Sequence, residues 1–206
     1  MNSSDFKKIV LASTNKGKVK EFQAILKDLG YEIIPVSEFE NVPEIEETGS
    51  TFEENAVLKA VATAKILNLP AIADDSGLCV HGLGNRPGVL SARSYGAQQD
   101  GYAAAFERLW QEMVSETPDD DTAHFECCIA VATPAGTVEV VSGQVFGKIV
   151  KPARGANGFG YDPIFVPDGY LKTFAELDDD IKNSISHRGR ALQKVPQIVT
   201  SLDSAR

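Results

Sequence analysis

KKIVLASTNKGKVKEFQAILKDLGYEIIPV, residues 7–36, changes its apolar period twice and reads as strand, helix, strand. Ile9-Val10-Leu11 is a continuous apolar run, the pattern of a strand buried on both sides. From Lys16 the spacing becomes helical. Val19, Phe22, Ile25, Leu26 and Leu29 share one face, and Gly30 is a C-terminal stop. Tyr31–Val36 returns to a strand, broken by Pro35.

Outward from this unit, residues 37–51 form an acidic connection without periodicity. Thr51–Asn68 is the clearest helix. Thr51 and Glu54 fit a capping box, and Phe52, Ala56, Ala60, Ala64 and Leu67 make a stripe toward the core. Pro70–Asp75 is a third strand. Ser76–Asp100 reads as a long loop region, a length that usually marks function or mobility. Gly101–Val114 is an amphipathic helix. Ala123–Thr133 and Gly136–Ile149 then look like two strands joined as a hairpin at Pro134-Ala135-Gly136. Lys151–Phe165 is a loop into a short strand, and residues 185–202 start as a loop and end as a helix interrupted by Pro196. Strand–helix alternation followed by a hairpin predicts a mixed α/β sheet flanked by helices. No linker-like composition divides the chain, so residues 1–206 are read as one domain.

Bulk composition narrows the function. The net charge of −9 opposes non-specific nucleic-acid binding, which needs a basic face. An anionic ligand would require local lysines or a metal ion to reverse the field. Cys79, Cys127 and Cys128 form neither a CxxC pair nor an even set and read as thiols of a reducing cytosol. The apolar run after Lys7-Lys8 is shorter than the roughly 7–15 residues of a signal-peptide core, and no run approaches the roughly 18 residues of a membrane span.

Five stretches carry candidate chemistry. In ASTNKGKV, residues 12–19, Ser13, Thr14, Asn15, Lys16, Gly17 and Lys18 sit at a strand–helix junction, where free amides and lysines suit a phosphate. The plain alternative is a capped turn with solvated lysines. It is no Walker A loop, since Val19 stands where a metal-holding hydroxyl belongs. In EIEETGSTFEENAVLK, residues 44–59, the glutamates are either a solvated acidic loop or include a ligand for a hard cation, with Lys59 as a phosphate contact. Asn55 and Lys59 share one helix face. In DDSGLCVHGLGNRPG, residues 74–88, adjacent strand side chains point to opposite faces. Asp75, nearer the carboxyl end of the strand, is therefore the expected site residue, with Asp74 as a turn or cap residue. GANGFGYDPIF, residues 155–165, offers backbone donors and aromatic rings to a planar ligand, or is a glycine-rich turn with core aromatics. In NSISHRG, residues 183–189, His187 and Arg188 have polar company that His81 and His124 lack.

In order and combination, LASTNKGKVKEF, EETGSTFEENAVLKA, AIADDSGL, GNRPGVLSAR, GFGYDPIF and SISHRGRAL resemble the inosine/xanthosine triphosphate pyrophosphatase family, also called Ham1-like or RdgB-like, over about Val10 to Leu192. The resemblance implies an elongated mixed sheet with two lobes around a central active-site cleft. It implies Mg²⁺-dependent hydrolysis of ITP, dITP and XTP to the monophosphate and pyrophosphate, by a cytoplasmic homodimer without nucleic-acid or membrane partners. By motif, Ser13, Thr14, Asn15, Lys16, Gly17 and Lys18 would hold the phosphates, with Lys59 beside them. Glu46 and Asp75 would bind Mg²⁺, with Asp75 as proton acceptor. Ser76, Phe159, Gly160, Tyr161, Asp162, Lys182, His187 and Arg188 would contact the substrate. Arg188 or amides near Phe159 would supply a donor to the 6-oxo group that adenine lacks. The chain departs from the pattern at His81, where aspartate is common, at GNRPG and at SARSYG, which leaves the loop after Asp75 open. The competing readings are a Maf-like nucleotide pyrophosphatase with another base preference and a nucleotide-sensing module without turnover.

Overall fold

The computed structural model describes residues 8–204. Lys7, the expected start of the first strand, lies outside them. The elements are β1 (Lys8–Leu11), α1 (Lys16–Asp28), β2 (Glu32–Pro35), α2 (Phe52–Leu67), β3 (Ala71–Val80), β4 (Arg86–Pro87), α3 (Tyr102–Glu116), β5 (Thr122–Ala132), β6 (Val138–Ile149), β7 (Phe165–Pro167), α4 (Asp179–Ile185), α5 (His187–Leu192) and α6 (Val195–Ser204). They build one mixed sheet in the order β2-β1-β3-β5-β6-β7, with β4 paired to β3.

The β1–α1–β2 reading holds. β1 pairs parallel with β2 from Lys8↔Glu32 to Leu11↔Pro35, and parallel with β3 at Val10↔Ala71 and Leu11↔Ile72. Parallel neighbours need a crossover, and α1 supplies it with Phe22, Ile25 and Leu26 turned inward. The Thr51–Glu54 capping box starts α2, which buries Phe52, Ala56, Ala60 and Ala64. Leu67, expected on the same stripe, is half-buried at the helix end. β5 and β6 are joined by the turn at residues 133–137, which Thr133 N–H closes onto Thr137 O at 2.9 Å.

Two expectations fail. The loop after Asp75 begins later than expected: β3 runs on to Val80 and the short β4 pairs antiparallel with its end, while residues 88–100 are the turns that the reading expects. The third strand reads as ending at Asp75 because two carboxylates look like a strand terminus, yet both are buried in mid-strand. The region 179–204 is almost wholly helical. Pro196 does not interrupt a helix there. It is the second residue of α6, where a missing N–H costs no intrahelical bond.

The described residues form two compact units. The first holds the described residues up to Asp75, Cys127–Gly143, and those from Arg188 onward. The second holds Ser76–Glu126 and Gln144–His187. Strands β3, β5 and β6 contribute to both. The first unit's core gathers Ile9, Leu11, Phe22, Leu26, Ile72 and Ile129 with Leu192 and Val195. The second packs Leu78, Val80, Leu109, Phe125, Phe165 and Phe174. Each core buries its apolar set on a strand without polar alternation, β3 above all, and that places charged side chains inside the molecule.

Candidate active site

In the first unit, α1 begins at a capped turn. Asn15 Oδ1 accepts from the N–H groups of Gly17 (2.9 Å) and Lys18 (3.1 Å), and Ser13 Oγ accepts from Asn15 N–H at 3.3 Å. Thr14 and Lys16 are exposed, and Gly17 is half-buried in the first turn. Lys18, expected to face a phosphate, turns inward and pairs with Asp74 Oδ2 at 3.0 Å.

Asp74 and Asp75 do point apart, as alternation requires. Asp74 is no turn or cap residue. It is 1 % exposed, and Arg188 Nε and Nη2 donate to its Oδ2 at 3.2 and 2.9 Å. The Sγ of Cys127 lies 3.8 Å from the same oxygen. Arg188 Nη1 donates to Glu21 Oε2 at 2.6 Å. Burial alone would raise the Asp74 pKa, but Lys18, Arg188 and Lys59 overcome it and hold the carboxyl far below the ordinary range. Burial likewise opposes the charge on Arg188, and Asp74 and Glu21 restore it and push its pKa up.

Asp75 has a different setting. It is 4 % exposed, and Asn55 Nδ2 donates to its Oδ2 at 2.9 Å. Its pKa is raised, first by burial and also by Glu47, against the opposing pull of Lys59, Asn55 and Lys18. Lys59 is mostly buried, ion-paired to Glu47, and donates to the Asp74 carbonyl at 2.8 Å. Glu46 is exposed on the same loop. Among the described residues no group of three or more His, Cys, Asp or Glu side chains forms a metal cage. Carboxylate oxygens from Asp75 and this glutamate loop suit a hard cation that takes one or two protein ligands and completes its shell with water and phosphate.

The second unit holds a separate cluster. Asp162 Oδ2 accepts from Phe159 N–H at 2.8 Å and from Lys182 Nζ at 2.6 Å. Lys182 also lies 4.9 Å from the Phe159 ring centroid. Gly158 has φ +73°, and a Cβ there would stand 2.1 Å from Asp162 Oδ2, so only glycine closes this loop. Gly160 is half-buried, while Tyr161 is buried edge-on against Tyr102, their rings 5.3 Å apart. His187 is buried and stacks on Phe125 at 4.8 Å. Ser76 is half-buried in β3. His81 and His124, expected to lack polar company, have it: their rings hydrogen-bond each other at 2.8 Å, and His81 Nδ1 lies 2.9 Å from Thr122 Oγ1.

Of the residues expected at the site, Ser13–Lys18, Glu46, Lys59, Asp75 and Arg188 fall in the first unit, and Ser76, Phe159–Asp162, Lys182 and His187 in the second. Sequence reasoning misses Glu21 and the weight of Asp74. A glutamate inside a lysine-rich helix carries no local sign of a buried partner 167 positions away. Arg188 and the Phe159 amide, expected as donors to a 6-oxo group, donate here to Asp74 and Glu21 and to Asp162.

The model of the Ham1 family matches residues 9–198. The chain belongs to the Ham1 family. A Ham1 relative from Desulfotalea psychrophila, named dITP/XTP pyrophosphatase, is 49 % identical over 199 residues, 95 % of this chain and 88 % of its own length. One of the same name from Bacillus subtilis is 47 % identical over 193 residues, covering 94 % of this chain and 97 % of itself. A Ham1 protein structure from Coxiella burnetii superposes with TM-score 0.84 at 43 % identity, covering 94 % of this chain and 98 % of that one. The fold is accordingly the Ham1 α/β fold, a mixed sheet flanked by helices.

Proposed function

We propose that the protein hydrolyses non-standard purine nucleoside triphosphates, dITP, ITP and XTP, to the monophosphate and pyrophosphate. The carrying observation is a buried, pinned carboxylate, Asp75, in a chain that is 49 % identical to a protein named dITP/XTP pyrophosphatase. In this reading water adds to the α-phosphorus, the α–β phosphoanhydride bond breaks, and pyrophosphate leaves. Asp75 takes the water's proton. Its desolvated carboxylate is a better base than a surface one, because burial raises its pKa. Exposed Lys16 supplies positive charge for the triphosphate in a chain of net charge −9, while Lys18 and Lys59 are held by Asp74 and Glu47 and contribute only what those pairs leave.

Mg²⁺ is the proposed cofactor, held by Asp75 and Glu46 or its neighbour Glu47. It would offset phosphate charge when bound. The loop Phe159–Asp162, with Lys182, is the proposed base-binding element. A cytoplasmic homodimer is part of the same reading. The buried thiols of Cys79, Cys127 and Cys128 support the compartment, and exposed Leu90, Phe146 and Leu171 offer apolar area to a second copy. No described helix is long and apolar enough to cross a membrane.

The test is a pyrophosphate-release assay with Mg²⁺ and a panel of ITP, XTP, GTP, ATP, dTTP and UTP. Release from ITP and XTP well above GTP and ATP is expected, and Asp75→Asn should abolish it while ITP still binds. Release chiefly from dTTP or UTP would transfer the protein to a Maf-like activity. Tight ITP binding without product would make it a sensor.

A further inference from the structure

Asn55 lies in the first turn of α2 and is fully buried, at 0 % exposure. Its amide is used at both ends. Oδ1 accepts from Gly49 N–H at 2.8 Å, and Nδ2 donates to Asp75 Oδ2 at 2.9 Å. Chemistry forces that orientation. The Gly49 N–H can only donate, so it faces the oxygen, and the nitrogen is left for a carboxylate that only accepts. Gly49 makes the approach possible: a Cβ there would stand 2.7 Å from Asn55 Oδ1 and 2.6 Å from Glu54 Cβ.

The preceding residue does a parallel job. Glu54 Oε2 accepts from Ser50 N–H (2.7 Å), Ser50 Oγ (2.9 Å) and Thr51 N–H (3.2 Å). Two consecutive helix side chains therefore fasten residues 49–51, the end of the loop that carries Glu46 and Glu47. Of the two, only Asn55 reaches on to Asp75.

We propose that Asn55 is a positioning residue for the reaction: it fixes the plane of the Asp75 carboxylate and ties that carboxylate to the glutamate loop. This rests on the reading of Asp75 as the reacting carboxylate. The terminal torsion of an aspartate is broad, so an unpinned carboxylate can rotate. Lys59 acts on it through charge and does not orient it by a hydrogen bond, because its hydrogen bonds go to Glu47 and to the Asp74 carbonyl. An amide suits the task better than a cation. It orients the oxygen through a charge-assisted hydrogen bond without neutralising the group that must accept a proton.

Asn55→Asp tests this with almost no change of shape, replacing a donor by a second negative oxygen. With ITP and Mg²⁺, kcat should fall about 100-fold, the scale of a misplaced reacting group, while KM stays within about threefold. Asn55→Ala should act in the same direction with a lower Tm. Gly49→Ala, which presses on the amide from the loop side, should lower kcat without touching Asp75 and serves if the alanine variant does not fold. A readout independent of turnover is hydrogen exchange of the Asn55 side-chain NH₂, expected to be slow in the wild type and faster in Asp75→Ala. An active wild type whose Asn55→Asp variant keeps kcat within threefold overturns the role of Asn55. So does a loss that appears only in KM, or exchange unchanged by Asp75→Ala. A wild type that releases no pyrophosphate from any nucleotide brings down the catalytic reading of Asp75, and this inference with it.

Discussion

Asp74 in the first unit and Asp162 in the second are both buried carboxylates held by cations, and they are held differently. Asp74 collects Lys18 from α1 and Arg188 from α5, and Arg188 is shared with Glu21. Its partners come from opposite ends of the chain, so the cluster exists only once the fold is complete. Asp162 has a cation 20 residues away, Lys182, and an amide three residues away in its own loop. It shapes one glycine-rich segment. The difference separates a knot that gathers distant segments from a clamp on the loop proposed to bind the base, and mutations should tell the two apart.

The largest effect is expected from Asp74→Asn, which leaves Lys18 and Arg188 short of a buried counter-charge. Urea unfolding should show a loss of about 3–5 kcal/mol. A loss below about 1 kcal/mol would mean the cluster does not hold the fold. The same variant should alter the acid limb of stability. The Asp74 pKa is depressed in the folded state, so its contribution is complete above the ordinary carboxylate range. It begins to fall away as pH drops through about 3.8 and continues to do so below. Asp74→Asn should flatten that decline.

Lys182→Met comes next. Asp162 would keep the Phe159 amide but lose its cation, at a cost of about 2–3 kcal/mol. If the pair is a loop clamp, KM for ITP should rise about 10-fold, with kcat less affected. An unchanged KM would make it a second structural knot.

A smaller effect, of opposite sign, is expected at Asp75. Burial raises its pKa. A raised carboxyl contributes stability that is complete at low pH and is lost as pH rises through the folded value, so the ionised group is a burden at neutral pH. Asp75→Asn should therefore raise Tm at pH 7 by up to roughly 2–4 °C and lose that advantage in acid, as calorimetry at both pH values would show. The smallest effect belongs to Lys8→Ala. The Lys8–Glu32 pair is 3.3 Å long, but its side chains are 66 % and 60 % exposed, and removing it should cost less than about 0.5 kcal/mol.

Much of this was legible in the residues. β1–α1–β2, the capped α2 and the turn at residues 133–137 follow from period and capping, which are local signals. The capped turn before α1 follows from helix-end signals, and strand alternation tells Asp74 from Asp75, although the strand end expected at Asp75 lies at Val80. The role of Asp74 is not legible, because alternation says that it leaves the face of Asp75 but not what awaits it on the other face. In β3 that face is another interior, furnished by α1 and α5. Glu21 and Arg188 have the same cause: partners so far apart in sequence are brought together by chain topology, and no window of residues contains both. Periodicity puts Asn55 with Lys59 on one face of α2, yet its hold on Asp75 depends on how α2 lies against β3, which periodicity does not encode.

The turn before α1 imposes a condition on any anion that arrives there. Asn15 already occupies the amides of Gly17 and Lys18, the donors an incoming phosphoryl oxygen would seek first. Binding at that corner is then a substitution of tenants: the carboxamide must swing out, or the anion must settle for the lysine ammoniums and the helix dipole. The affinity measured there is the difference between two occupancies, and it will understate how strongly the vacated turn grips its guest.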